Sequence, residues 1–293
     1  MRVHAIVGLL LLLVSCAGSR AQAPAGQDRT SAPSPRFTAR RIRSRTDLRN
    51  LRKELGKEGT LLLEKTNRRD VGHIRPKVEV AVPRPPFDFA AYSPFPMELG
   101  CLADIPKAIL VSLRVQAFGA YESGRLVRWG PVSTGARKHQ TPAGLYHTNW
   151  RSRRKVSTLD SHWIMPWYFN LHTSMGVAFH QYAVPGRPQS FGCIRLLGED
   201  ARWIYSWAEA WIPPRVPGGP PRAFGTPVVV FGSYDYGSPP PWRGLALDPS
   251  AADVDSGSLE KALDHYLAVL QQRAAQRLRL ERDSVSNSSE QSN

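Results

Sequence analysis

Over the middle of the chain the apolar residues come in short runs bounded by Gly, Pro and Ser. The run 108–115, Ala-Ile-Leu-Val-Ser-Leu-Arg-Val, is apolar and β-branched and predicts a buried strand. Ala117 to Glu122 and Arg125 to Trp129 flank Ser123-Gly124 and predict two strands joined by a tight turn. Gly130-Pro131 and Gly135 bound a further return, Val132-Ser-Thr, and His139 to Tyr146 carries Pro142 and Gly144 into another strand. Trp150 to Asp160 is basic and polar, an exposed crossing. Met165 to Phe169 and Val177 to His180 are again apolar strands. Beyond Cys193 the period lengthens: Ala201, Ile204, Tyr205, Ala208 and Trp211 recur at helical spacing. That places Gly192 and Cys193 at the start of a helix, where backbone N–H groups favour a thiolate. Gly225 to Phe231 closes the domain as a last strand. Many short strands with one main helix make a mostly-β fold.

The ends differ. Residues 17–45 are rich in Ala, Ser, Pro, Gln and Arg without an apolar period, the composition of a disordered tether. Leu48, Leu51 and Leu55 then predict a short helix behind Thr46, weakened by Gly56 and Gly59. The prolines from Pro76 to Pro96 predict an extended linker or a strap lying on the domain. After Pro239-Pro240-Pro241, the residues Leu259, Leu263, Tyr266, Leu267 and Leu270 trace one face of an amphipathic helix expected to pack on its own domain, with another chain or a membrane surface as the alternatives. The expected organisation is a signal peptide (1–21), a basic, Pro-rich arm (22–98), a compact domain (99–236) and a Pro-rich segment with a C-terminal helix (237–293).

Charge adds a partner. Lys and Arg total 39 against 24 Asp and Glu, a net charge of +15. Such an excess points to an anionic partner. The arginines fall on no recognisable nucleic-acid-binding fold, so nucleic acid is not expected. The basic stretch from Arg36 to Lys53, opposed only by Asp47, is a candidate contact with an anionic envelope surface. Arg2 followed by the short apolar run Ala5 to Val14 is a secretory signal, too short to span a bilayer. Leu13-Val-Ser-Cys16 resembles a bacterial lipobox, so Cys16 is the expected lipidation site, with cleavage after Ala21 as the alternative. Gly18 argues against retention at the inner membrane. The expected location is the periplasm, lipid-anchored, with the outer membrane favoured. Of the other two cysteines, Cys101 reads as a free or buried thiol, because a disulfide to Cys193 would silence the latter.

The candidate chemistry is concentrated in His180-Gln-Tyr-Ala-Val-Pro-Gly-Arg-Pro-Gln-Ser190-Phe-Gly-Cys193-Ile-Arg195. A thiol becomes a nucleophile as a thiolate, and an imidazole within reach is the usual means of making one. Gly192 leaves room for a substrate carbonyl and for backbone N–H groups to hold its oxyanion. Ser190, Gln181 and Arg195 flank the pair. Read by residue type alone, a buried cysteine and a structural histidine remain the alternative. No Gly-rich phosphate loop and no Cys-x-x-Cys spacing occurs.

Val132-Ser-Thr-Gly135, Thr141-Pro-Ala-Gly144, Met165-Pro-Trp-Tyr168 and the His180–Arg195 block resemble, in order and spacing, the catalytic domain of the L,D-transpeptidases (YkuD-like). The resemblance implies a β domain and acyl transfer on peptidoglycan stem tetrapeptides without metal or organic cofactor. It implies Cys193 as nucleophile and His180 as base, Gly192, Ser190 and Gln181 as oxyanion or supporting groups, and Arg195, Phe191 and Tyr168 against substrate. Phe191 stands where the family commonly has a second His, and Gln181 where it commonly has a small residue. An L,D-carboxypeptidase or hydrolase using the same thioester, or a degenerate peptidoglycan-binding lipoprotein, remain the alternatives.

Overall fold

The computed structural model describes residues 36–254 and 256–290. The signal segment and Cys16 lie outside the described residues. Eleven strands and four α-helices follow in order: β1 (Phe37–Arg41), α1 (Arg45–Thr66), β2 (Glu79–Pro83), β3 (Lys107–Ser112), β4 (Ala117–Glu122), β5 (Arg125–Ser133), β6 (Gly144–His147), β7 (Arg151–Val156), β8 (Ile164–His172), β9 (Val177–Gln181), β10 (Ile194–Leu196), α2 (Gly198–Trp207), β11 (Pro227–Phe231), α3 (Ser256–Asp264) and α4 (Leu267–Glu290).

Nine strands form one sheet in the order β6-β11-β3-β4-β5-β10-β9-β8-β7. Two neighbour pairs, β11 with β3 and β10 with β9, are parallel; the others are antiparallel. The central strands are apolar on both faces because both faces are covered. Ile109 and Val111 of β3 and Val228 and Val230 of β11 join a core that includes Ala201 and Ile204 of α2. Their alternates Ala108, Leu110, Val229 and Phe231 pack instead with Leu259 and Leu263 of α3 and Leu267 and Leu270 of α4. The amphipathic C-terminal segment therefore packs on its own domain, as two helices. The fold is mostly β.

The N-terminal arm departs from the expected tether. β1 pairs antiparallel with β2 from Phe37↔Pro83 to Arg41↔Glu79. α1 runs for 22 residues, much longer than the short helix expected, with Ser44 capping it by accepting the Asp47 N–H at 3.0 Å. Gly56 kinks it at φ 66° without ending it. The reason is tertiary: Leu48, Leu51, Leu55 and Leu63 pack with Ile42, Val80 and Val82 in a core of their own, and burial outweighs glycine's weak propensity. The proline-rich strap lies on the domain, where Tyr92 packs with Leu62 and Trp129.

Candidate active site

β9 and β10 lie side by side in parallel, with Ile194 opposite Phe179 and Arg195 opposite His180. The fold thereby brings the two ends of the 180–193 block together. His180, the last residue but one of its strand, is buried, 4% exposed. Its Nδ1 lies 3.0 Å from the Gln181 carbonyl. That bond fixes Nδ1 as the protonated nitrogen and leaves Nε2 as the acceptor. Burial, followed by a smaller effect of the Arg195 charge, pushes the imidazole pKa down to about 4, against the opposing pull of the Gln181 hydrogen bond. The ring is neutral at pH 7.

Cys193 is half-buried and free. Its Sγ–H donates to the Gly176 carbonyl at 3.1 Å. Burial pushes the thiol pKa up to about 11, opposed by a backbone hydrogen bond from Ala178 and by Arg195. The resting pair is thus neutral thiol and neutral imidazole.

Gly192 holds φ +104°, a region that side chains disfavour. Its N–H, expected to face an oxyanion, donates instead to Ser190 Oγ at 3.1 Å, while Ser190 Oγ–H donates to the Cys193 carbonyl at 2.5 Å. Ser190 thus shapes the turn carrying the thiol. Thr141, from the Thr-Pro-Ala-Gly motif, extends this support: its hydroxyl donates to the Gly192 carbonyl at 2.8 Å and accepts the Gly135 N–H at 2.9 Å. The expected helix start at Cys193 is not found, because β10 intervenes and α2 begins only at Gly198. The helical spacing from Ala201 was genuine; three residues of parallel pairing are too few to leave a period.

Both residues line a cavity of about 490 Å³. Tyr168, Arg195 and Phe191 line it too, as do Trp150, Trp163 and Lys155. Among the described residues no carboxylate does. The register between β7 and β8 is unbroken, Ser152 opposite Tyr168 and Arg154 opposite Pro166, but Trp167 between them takes φ +54°. Strict alternation would send Met165 and Tyr168 to opposite faces; the irregularity puts both on the cavity. Phe191, 48% exposed, stacks on His139 at 4.5 Å and lies 5.3 Å from Trp163. Tyr182 lies over the Arg195 guanidinium at 4.6 Å and edge-on to His180 at 5.9 Å. Sequence reasoning missed Tyr182, Asn170 and the two tryptophans. Asn170 is buried and binds Tyr168, Asn149 and Thr173 through its amide. No local pattern marks these residues, since they meet only through strand pairing.

Residues 106–230 match the family model of the L,D-transpeptidase catalytic domain, YkuD. Over those residues the chain is similar to an L,D-transpeptidase catalytic domain. Among solved structures it is similar to an L,D-transpeptidase from Stackebrandtia nassauensis, with 22% identity, a TM-score of 0.36 and coverage of 44% of this chain and 57% of that one. It is also similar to one from Mycobacterium tuberculosis H37Rv (23%, 0.34, 44% and 58%) and to one from Mycobacterium smegmatis (18%, 0.34, 44% and 59%). The chain thus spans under two thirds of the length of these transpeptidases. No curated protein matches it.

Cys101 lies outside the L,D-transpeptidase match. It is disulfide-bonded rather than the free or buried thiol expected, and Cys193 is not its partner.

Proposed function

We propose that this protein is a cell-wall L,D-transpeptidase in which Cys193 is the nucleophile and His180 its base. The observation that carries the reading is that these two residues line one cation- and aromatic-lined cavity inside the family-matched segment. A cavity with Lys155 and Arg195 and no carboxylate suits a stem peptide bearing free carboxylates.

In the first step the Cys193 proton moves to His180 Nε2 as the sulfur forms a bond to the carbonyl carbon of the tetrapeptide's third residue. The C–N bond to the terminal D-Ala then breaks, and the amine leaves with the proton from His180. The resulting thioester is resolved by an amine from a second stem. With the Gly192 N–H engaged by Ser190, the Cys193 N–H is the oxyanion donor in this reading. Neither step calls for a metal or organic cofactor.

Intact-mass analysis of the purified protein with a carbapenem tests the assignment. One covalent adduct is expected in the wild type and none in Cys193→Ala, which should also release no D-Ala from tetrapeptide. An adduct that persists in Cys193→Ala sinks it.

The envelope assignment belongs to the same reading: lipidation at Cys16, a periplasmic location favouring the outer membrane, and contact of the basic 36–53 stretch with an anionic surface. The mass of the mature N-terminus tests the lipid at Cys16. A mature protein starting at Gln22 without lipid removes the anchor.

A further inference from the structure

The loop from Tyr182 to Gly192 joins the proposed base to the proposed nucleophile, and its two halves are held from different places. The half nearer Cys193 is tied to β5 and the turn after it. Gln189 and Ser190 N–H groups donate to the Thr134 carbonyl, each at 2.9 Å, and Ser133 Oγ–H donates to the Arg187 carbonyl at 2.7 Å. The half nearer His180 is held from the N-terminal arm. The Asp70 N–H donates to the Val184 carbonyl at 2.8 Å, and the Val184 N–H donates to Asp70 Oδ2 at 2.7 Å. Arg69 forms a bridge with Pro185, and its guanidinium covers Gly186, where a Cβ would fall 2.7 Å from it. Gly186 also holds φ +79°, so that no other residue suits the contact.

We propose that Asp70, which lies outside the family-matched segment, is a positioning residue for His180, acting through a two-bond clamp on Val184. The proposal rests on the assignment of Cys193 and His180 above. Asp70 is itself fixed: Oδ1 accepts the His73 N–H at 3.1 Å, and the adjoining Arg69 N–H donates to the Glu64 carbonyl at the end of α1 at 3.0 Å. Val184 is fully buried, so its position follows the clamp. Two residues earlier, Tyr182 stands edge-on to the His180 ring and over Arg195. Its N–H donates to the Leu196 carbonyl at 3.2 Å. Releasing Val184 frees the segment that carries Tyr182, and with it the packing that sets the plane of the imidazole. Both carboxylate oxygens accept hydrogen bonds, and an amide offers only one acceptor oxygen. The bond from the residue 70 N–H to the Val184 carbonyl survives in either variant, so Asn keeps one side-chain acceptor for the second arm of the clamp and Ala loses that arm.

The test uses the full-length protein with Asp70→Ala, Asp70→Asn and Gly186→Ala, beside Asp47→Asn as a control that loosens the far end of the arm. Three quantities are measured at a temperature where every variant is folded: the acylation rate with a carbapenem, amide exchange at Val184, and Cys193 alkylation by iodoacetamide. Asp70→Ala should exchange Val184 faster and acylate at least about tenfold more slowly, the scale at which misplacing a base is felt. Asp70→Asn should fall between Ala and wild type, Gly186→Ala should resemble Asp70→Ala, and Asp47→Asn should match wild type. Alkylation should change little in any of them, because it needs no base. Wild-type acylation in Asp70→Ala, or unchanged Val184 exchange, overturns the clamp. A wild type that is alkylated at Cys193 but never acylated sinks the acyl-transfer reading instead, while Val184 exchange still decides whether the clamp exists.

Discussion

At the scale of single residues, the resting site holds its proton on sulfur. The thiol pKa is raised to about 11 and the imidazole pKa lowered to about 4, each chiefly by burial, so an ion pair is not preformed. The rate of Cys193 alkylation should therefore climb about tenfold per pH unit between pH 6 and 9, following the thiolate fraction. A plateau across that range would show a thiolate–imidazolium pair already present in the free protein. With substrate bound, His180→Ala should slow acylation by roughly 10²–10⁴-fold. Phe191→His should be tolerated, since the Phe191 ring stacks on the exposed side chain of His139 and the cavity continues past it. Cys193, His180 and Ser190 were legible in the sequence because the chemistry they suggest lies within one short block. Asp70 and Asn170 were not, because a single Asp or Asn carries no period, and strand pairing alone supplies their partners.

At the scale of elements, the strands were readable where burial leaves a run or an alternation, and β3 and β11 are the clearest cases. β10 was not, since three residues cannot show a period. The same limit misplaced the start of α2. α1 was foreseen as a short helix because local propensity stops at Gly56, whereas packing carries it on to Thr66. α4 holds a titratable contact that a sequence does not display. Arg273 Nη1 lies 3.2 Å from His147 Nδ1, beside Phe224. Burial first, then the Arg273 charge, lowers the His147 pKa to about 3. The unfolded value is higher, so the unfolded chain binds the extra proton first, and this stabilisation is full above pH 6.5 and lost as pH falls toward 3. Amide exchange in Leu267–Glu281 should accelerate as pH is lowered from 7 to 4, after correction for intrinsic rates. His147→Gln should remove most of that dependence. Equal pH dependence in the two proteins would show that His147 does not govern the docking of α4.

At the scale of the whole molecule, the arm and the family-matched domain share a buried charge cluster. Lys65 near the end of α1 reaches Asp200 of α2 at 3.0 Å and donates to the Trp129 carbonyl at 2.7 Å. Asp200 is fully buried and also accepts from Arg128 Nε at 2.7 Å. Arg68, fully buried as well, donates to the carbonyls of Val115 and Lys65 and lies near the rings of Trp129 and Trp242. These contacts cross the boundary expected at residue 99, so a protein cut to 99–236 loses Lys65, the partner shared by Asp200 and the Trp129 carbonyl. Removing one member of a buried ion pair leaves a desolvated charge, which costs about 3–5 kcal/mol, less where a second partner stays. Lys65→Met should therefore destabilise the full-length protein by about 3 kcal/mol in urea unfolding, because Arg128 still serves Asp200. Lys65→Met with Asp200→Asn should recover part of the loss, since the orphaned charge is gone while the shape is kept. If the single variant unfolds at the wild-type midpoint, the cluster does not join the arm to the domain.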